Sequence, residues 1–183
     1  MKSHSFDVID PAVRSKIYTQ AYKPKDCIEG VSVIELQTMI DEEGDFSELM
    51  LLKANGESAL FPGFVLRQIN RSAQNPGSVK AWHLHLLQDE VWFVSGQSHL
   101  LIGLWDIRAH SKSRGITMRI PAGGSSGRMV YIPRGVAHGS VNMSDQPGVI
   151  IYFINNHFDK DNPDEHRLPW DSLGTNFWLP QRD

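Results

Sequence analysis

From residue 30 onward the apolar residues come in short runs, each closed by turn residues, and this cadence constrains the fold more than any other feature. The runs at 31–37, 46–53, 62–70, 79–87, 90–95, 99–107, 116–120, 129–132, 136–141 and 149–154 read as strands. Between them stand Glu43-Gly44, Asn55-Gly56, Asn75-Pro76-Gly77, the stretch 122–127 and Pro147-Gly148, all turn chemistry. Many short strands with little helix between them predict an all-β sandwich or small barrel, not a parallel α/β fold. No run approaches the ~18 apolar residues of a membrane span, so no membrane partner is expected.

The remainder of the chain fits one domain. Its 183 residues suffice for an ordinary core, expected over about 31–154. Residues 155–183, rich in Asp, Asn and Pro, have too few apolar residues for a core of their own and should pack on the barrel as an irregular tail. Near the start, Asp10 before Pro11 reads as the N-cap of a short helix. A net charge of −3 leaves no basic footprint, which argues against nucleic acid as a partner. Cys27 is the one cysteine and the first ten residues lack the apolar centre of a signal peptide, so a reducing, cytoplasmic setting is expected.

The chemistry concentrates in residues 77–96, GSVKAWHLHLLQDEVWFVSG. His83 and His85 are two apart, so on a strand both imidazoles leave the same face. Glu90 opens the next apolar run and can fold back beside them. Gly77-x5-His83-x-His85-x4-Glu90-x5-Gly96 resembles the first cupin motif, one residue short in its final spacing. Gly127-x5-Pro133-x-Gly135-x2-His138-x3-Asn142 matches the second at every position. The resemblance implies a cupin jelly roll, or double-stranded β-helix. In metal-binding cupins these positions hold one ion, so the implied ligands are His83, His85, Glu90 and His138. Three imidazoles and a carboxylate suit a divalent transition metal without choosing among Zn, Fe, Mn, Ni and Cu. The alternative is that the histidines line a pocket without metal.

A second resemblance covers most of the chain from Asp41 on. The acidic, glycine-containing segment DEEGDFSE ending at Glu48, Lys80-Ala81-Trp82-His83, Asp106-Ile107-Arg108, YIPRGVAHG ending at Gly139, Tyr152, and the tail from Asn162-Pro163 to Trp170-Asp171 resemble the dTDP-4-dehydrorhamnose 3,5-epimerases. That family abstracts a proton beside the 4-keto group of a nucleotide-linked deoxysugar and returns one from the opposite face, with no cofactor. Carried across, His83 is the base, Tyr152 the acid, and His138 a lining residue. Lys80 stands where the family has an arginine at the diphosphate, and Glu48 falls among the implied substrate contacts. Strict alternation points Lys80 away from His83, so its role demands a bulge. Arg67 and Arg71, on the strand before the site, are candidate phosphate contacts, against the alternative of a solvated strand face. Trp82, Trp92 and Trp105 offer rings for a nucleotide base or, alternatively, core.

Three positions differ from the family. Glu43 replaces an arginine, the lysine that steadies the enolate falls on or near Asp89 or Glu90, and the segment with the aspartate that orients the base is shortened or absent. His83 also has two exclusive roles, because a lone pair given to a metal cannot accept a proton. The leading expectation is a sugar or sugar-nucleotide epimerase or isomerase. The alternatives are a metal-dependent cupin enzyme, such as an oxygenase or metal-assisted isomerase, and a non-catalytic small-molecule-binding cupin. The resemblance also implies a homodimer, which would cover open sheet edges.

Overall fold

The structure, a computed structural model, describes residues 6–20, 26–124 and 127–181. One helical turn, α1 (Pro11–Arg14), forms where expected, with the Asp10 carboxylate accepting from Ala12 N–H at 2.9 Å. A 3-10 turn spans Thr175–Trp178, and the other regular elements among the described residues are strands: β1 (Ser32–Glu35), β2 (Met39–Ile40), β3 (Asp45–Phe46), β4 (Gln68–Gln74), β5 (Val79–Leu84), β6 (Glu90–Val94), β7 (His99–Asp106), β8 (Thr117–Gly123), β9 (Arg128–Ile132), β10 (Val136–Asn142), β11 (Gly148–Ile154) and β12 (His166–Arg167). Two five-stranded antiparallel sheets, β1-β9-β6-β11-β4 and β12-β5-β10-β7-β8, face each other, and β2-β3 is a separate hairpin. This is the expected jelly roll. Among the described residues no helix is long and apolar enough to cross a membrane.

The strands read as runs rather than clean alternations because both faces of each sheet are covered. Trp92, Val94, Ile102, Leu104, Val130 and Ile150 fill the space between the sheets. Val91, Met129 and Phe153 leave the opposite face of their strands and meet Leu36, Phe61 and Phe64. Trp82, Leu101, Ala137 and Val141 leave the outer face of the second sheet and meet Trp178 from the tail. Gly103 admits that cover, since a Cβ there would sit 2.7 Å from the rings of Phe177 and Trp178. Leu168, Leu173, Phe177 and Trp178 of the tail thus cover the outer face of the second sheet.

Two expected strands differ. Of 46–53 only Phe46 belongs to a strand, while Leu49 and Met50 cover the outer cluster. The run at 62–70 becomes a strand only at Gln68. Pro62 lacks a donor and Gly63 has φ +84°, so the segment turns there and inserts Phe61 and Phe64. Strand β4 then continues to Gln74, beyond the expected end at 70, as a polar edge strand.

The expected bulge is present. His138 pairs with His83 but Ser140 pairs with Lys80, so β5 carries one extra residue over this interval. That residue brings Lys80 to the cleft lined by His83. Gly139 faces the bulge, where a Cβ would collide with Ala81.

Candidate active site

Strands from both sheets converge on one cleft of about 520 Å³. It is lined by Ser72 from β4, Lys80 and His83 from β5, Glu90 and Trp92 from β6, His138 from β10 and Tyr152 from β11. His85, just beyond β5, adds a third imidazole from the barrel. The tail supplies two more residues, Glu165 and Arg167. Strand β12 pairs with β5, placing Arg167 opposite His83. The Asp164 carboxylate fixes this docking by accepting from the backbone N–H groups of Leu86, Leu87 and Gln88 at 2.8, 2.7 and 3.1 Å.

The protonation of His83 follows from its neighbours. Arg167 Nη1 lies 3.2 Å from His83 Nε2, and guanidinium only donates, so Nε2 is the acceptor. The proton therefore sits on Nδ1, which donates to Glu165 Oε1 at 2.8 Å. The result is an imidazole held in one tautomer by a carboxylate, with its lone pair toward the cleft, the arrangement of a general base with its orienting acid. The His83 hydrogen bond holds Glu165 below the usual carboxylate range against the opposing effect of burial, aided by the neighbouring His85 and Arg167.

Beside His83 lies a buried cluster around Glu90. Burial pushes its carboxyl upward. The His85 hydrogen bond at 3.2 Å, the nearby His138 and the Trp92 N–H at 2.5 Å outweigh that, and the group is pulled down to about 2. Gln88 also donates to it, at 2.8 Å. Burial disfavours the His85 imidazolium, but Glu90 overcomes this and raises it, while its Nδ1 donates to the Asp164 carbonyl. Burial pushes His138 down to about 4, and its Nδ1 donates to the Val136 carbonyl at 2.9 Å. The Tyr152 phenol is pushed up to about 12 by burial, against a hydrogen bond from Ser72. It is therefore a proton donor across the neutral range, and Trp92 packs edge-on against both Tyr152 and His138.

These directions fix a pH dependence of stability. The unfolded chain protonates His138 near its ordinary 6.5, the folded protein only near 4. Stability is therefore lost as pH falls through this window, by roughly 3 kcal/mol in all. His85 has the opposite sign: its contribution is complete below 6.5 and lost as pH rises through its raised folded value. In chelator-treated protein, urea unfolding should show a stability maximum near pH 6.5, and His138→Gln should flatten the fall from there to about pH 4.5, below which protonation of Glu90 lowers stability in both proteins.

Of the candidates from the sequence, His83, His85, Glu90, His138, Tyr152 and Lys80 come together in the cleft. Three do not line it. Glu48 is exposed beyond the β2-β3 hairpin. Arg67 and Arg71 are exposed, and the β4-β11 register explains why: Ser72 pairs with the inward Ile150, whereas Arg71 pairs with Ile151 on the outer face. Trp82 and Trp105 belong to the outer cluster with Trp178, leaving Trp92 as the cleft tryptophan. Glu43 lies in an exposed turn capped by Asp41. Asp89 is committed to Arg134, at 3.0 Å, so Glu90 is the acid that meets the cleft. Sequence reasoning missed Ser72, Glu165 and Arg167. The one available signal was the Asn-Pro-Asp-Glu run at 162–165, noted for its family likeness but not for a role.

The four cupin ligand positions divide. Ligand atoms of His85, Glu90 and His138 lie within 4.8 Å of one another, whereas both nitrogens of His83 face Glu165 and Arg167.

Comparisons with known proteins agree with the fold and motifs. The family model described as dTDP-4-dehydrorhamnose 3,5-epimerase matches residues 25–181. The spore coat polysaccharide biosynthesis protein SpsL of Bacillus subtilis is 36% identical over 152 residues, covering 82% of this chain and 96% of that protein. A probable low-salt glycan biosynthesis epimerase of Haloferax volcanii is 29% identical over 144 residues, covering 79% and 89%. The crystal structure of NovW, a 4-keto-6-deoxy sugar epimerase of Streptomyces spheroides, shares the fold at TM-score 0.71 and 23% identity, covering 89% of this chain and 82% of that one. With that match across nearly the whole described barrel and tail, the chain belongs to the dTDP-4-dehydrorhamnose 3,5-epimerase family.

Proposed function

We propose that this protein epimerises a nucleotide-linked 4-keto deoxysugar, using His83 as the base and Tyr152 as the acid. The observation that carries the reading is the His83-Glu165 pair, which leaves His83 Nε2 with its lone pair in the cleft that Tyr152 also lines. Positioning a base and an acid about the reacting carbon supplies both proximity and proton transfer. Lys80 brings positive charge to the Ser72 side of the cleft, where the diphosphate binds. His138 lines the sugar subsite. We read the protein as a cytoplasmic homodimer whose contact covers an exposed sheet edge such as β4. Product analysis tests the reading: incubation with a 4-keto-6-deoxy sugar nucleotide should yield a new epimer by proton NMR. A bound but unchanged sugar would make the protein a binding module.

A second reading draws on the buried group His85, Glu90 and His138. Two imidazoles whose Nδ1 atoms are tied to backbone carbonyls, beside a carboxylate, are a donor set that fits a divalent transition metal. A metal held there would act as a Lewis acid toward the keto oxygen. Under the first reading, protein stripped with a chelator keeps its full rate. A rate lost on stripping, restored by metal, and absent in His85→Ala would establish the second.

A further inference from the structure

Abstraction of a proton beside a ketone places negative charge on the carbonyl oxygen, and that oxygen needs a donor or cation in a site closed to bulk water. The position where the family resemblance implies a lysine is occupied by acids here: Asp89 is bound to Arg134, and Glu90 is an anion at the cleft wall. Among the described residues, two permanent cations line the cleft, Lys80 and Arg167. Lys80 Nζ is held by Ser72 Oγ at 2.8 Å and the Ala73 carbonyl at 2.7 Å, on the side of the cleft assigned to the diphosphate. His85 and His138 both turn their Nε2 toward the Glu90 carboxylate, which would repel an enolate. Arg167 remains. Its Nη2 is anchored on Glu165 at 2.8 Å, while its Nη1 lies 3.2 Å from the base nitrogen itself.

We propose that Arg167 is the enolate-binding residue of this site: a guanidinium from the tail that leaves the base and takes up the substrate's carbonyl oxygen. The proposal rests on the epimerase reading above. A reacting carbon sits about 3–3.5 Å from the base, and its neighbouring carbonyl oxygen then falls within reach of a donor that already touches that base. In the step, the C–H bond breaks, its proton passes to His83 Nε2, and its electron pair forms the C=C bond as the carbonyl π electrons move to oxygen. Arg167 Nη1 donates to that oxygen while Nη2 stays on Glu165. Tyr152 then gives its proton to the opposite face of the carbon, the C=O bond re-forms, and water exchange reprotonates Tyr152 and discharges His83. In the resting protein the same N–H covers the lone pair of His83, so substrate must displace it.

The test is deuterium wash-in to a 4-keto-6-deoxy sugar nucleotide, with affinity for the free nucleoside diphosphate measured in parallel. Arg167→Ala should lose on the order of 10²–10³-fold in exchange while diphosphate affinity stays within about threefold, the span expected of a surface change. Arg167→Lys should recover part of the rate, because it keeps charge but not the fork, and added guanidinium should restore Arg167→Ala. If Arg167 acts on the substrate, its loss multiplies with that of Glu165→Gln in the double variant. If it only orients Glu165, the double variant is no slower than Glu165→Gln, which overturns the proposal. Exchange by Arg167→Ala close to the unmodified rate also overturns it, as does a collapse of diphosphate affinity, which would make Arg167 a phosphate contact. An unmodified protein that exchanges nothing overturns the epimerase reading and Arg167's role together.

Discussion

In His83→Asn, deuterium exchange into a 4-keto sugar nucleotide should fall by about 10²–10⁴-fold, the range contributed by a positioned general base. Asparagine fills similar space and can still bond Glu165, but it cannot accept a proton at neutral pH. Folding should survive, since His83 is a partly exposed lining residue of the cleft rather than a member of a core cluster. Mass spectrometry of the recovered sugar measures the exchange, and titration with a nucleoside diphosphate should show binding retained. A variant that exchanged at the normal rate would transfer the base to another residue.

The second large effect separates the two faces of the reaction. In Tyr152→Phe the inverted product should fall by about 10²–10⁴-fold, as for loss of a general acid, while exchange through His83 continues. Substrate should come back deuterated with its configuration unchanged. The substitution removes one hydroxyl and leaves the ring against Trp92, 5.0 Å between centroids, so packing is conserved. Burial keeps the phenol at about 12, and it therefore remains protonated and ready throughout the working range. Inverted product formed at an unchanged rate would show that a different acid serves that face.

The parts of this site that local sequence encodes were legible. His83 and His85 share a face because strand side chains alternate, and His138 follows from a motif confined to one hairpin-sized segment. The bulge at Lys80 was also readable, since no regular strand puts Lys80 and His83 into the same cleft. What the sequence hid is non-local. Glu165 meets His83 across 82 residues of chain, through a two-residue strand of exposed polar residues that carries no periodic signal. Arg67 and Arg71 illustrate the reverse failure. Strand β4 is a polar edge strand, so nothing in its own residues tells the cleft face from the outer face, and only its register with β11 decides. The start of β4 was obscured in the same way, because Phe61 and Phe64 look like strand residues but turn at Pro62-Gly63.

The central proposal is that His83 takes a proton from the carbon beside the keto group, and it draws on the family match and on the His83-Glu165 pair. The direct measurement is incubation of chelator-treated protein with a 4-keto-6-deoxy sugar nucleotide in deuterium oxide, followed by NMR location of the label. The account predicts deuterium at a carbon adjacent to C4, at a rate indifferent to added metal and lost in His83→Asn. Label that appears only when metal is restored, or none at all from protein that still binds the nucleotide, would contradict it.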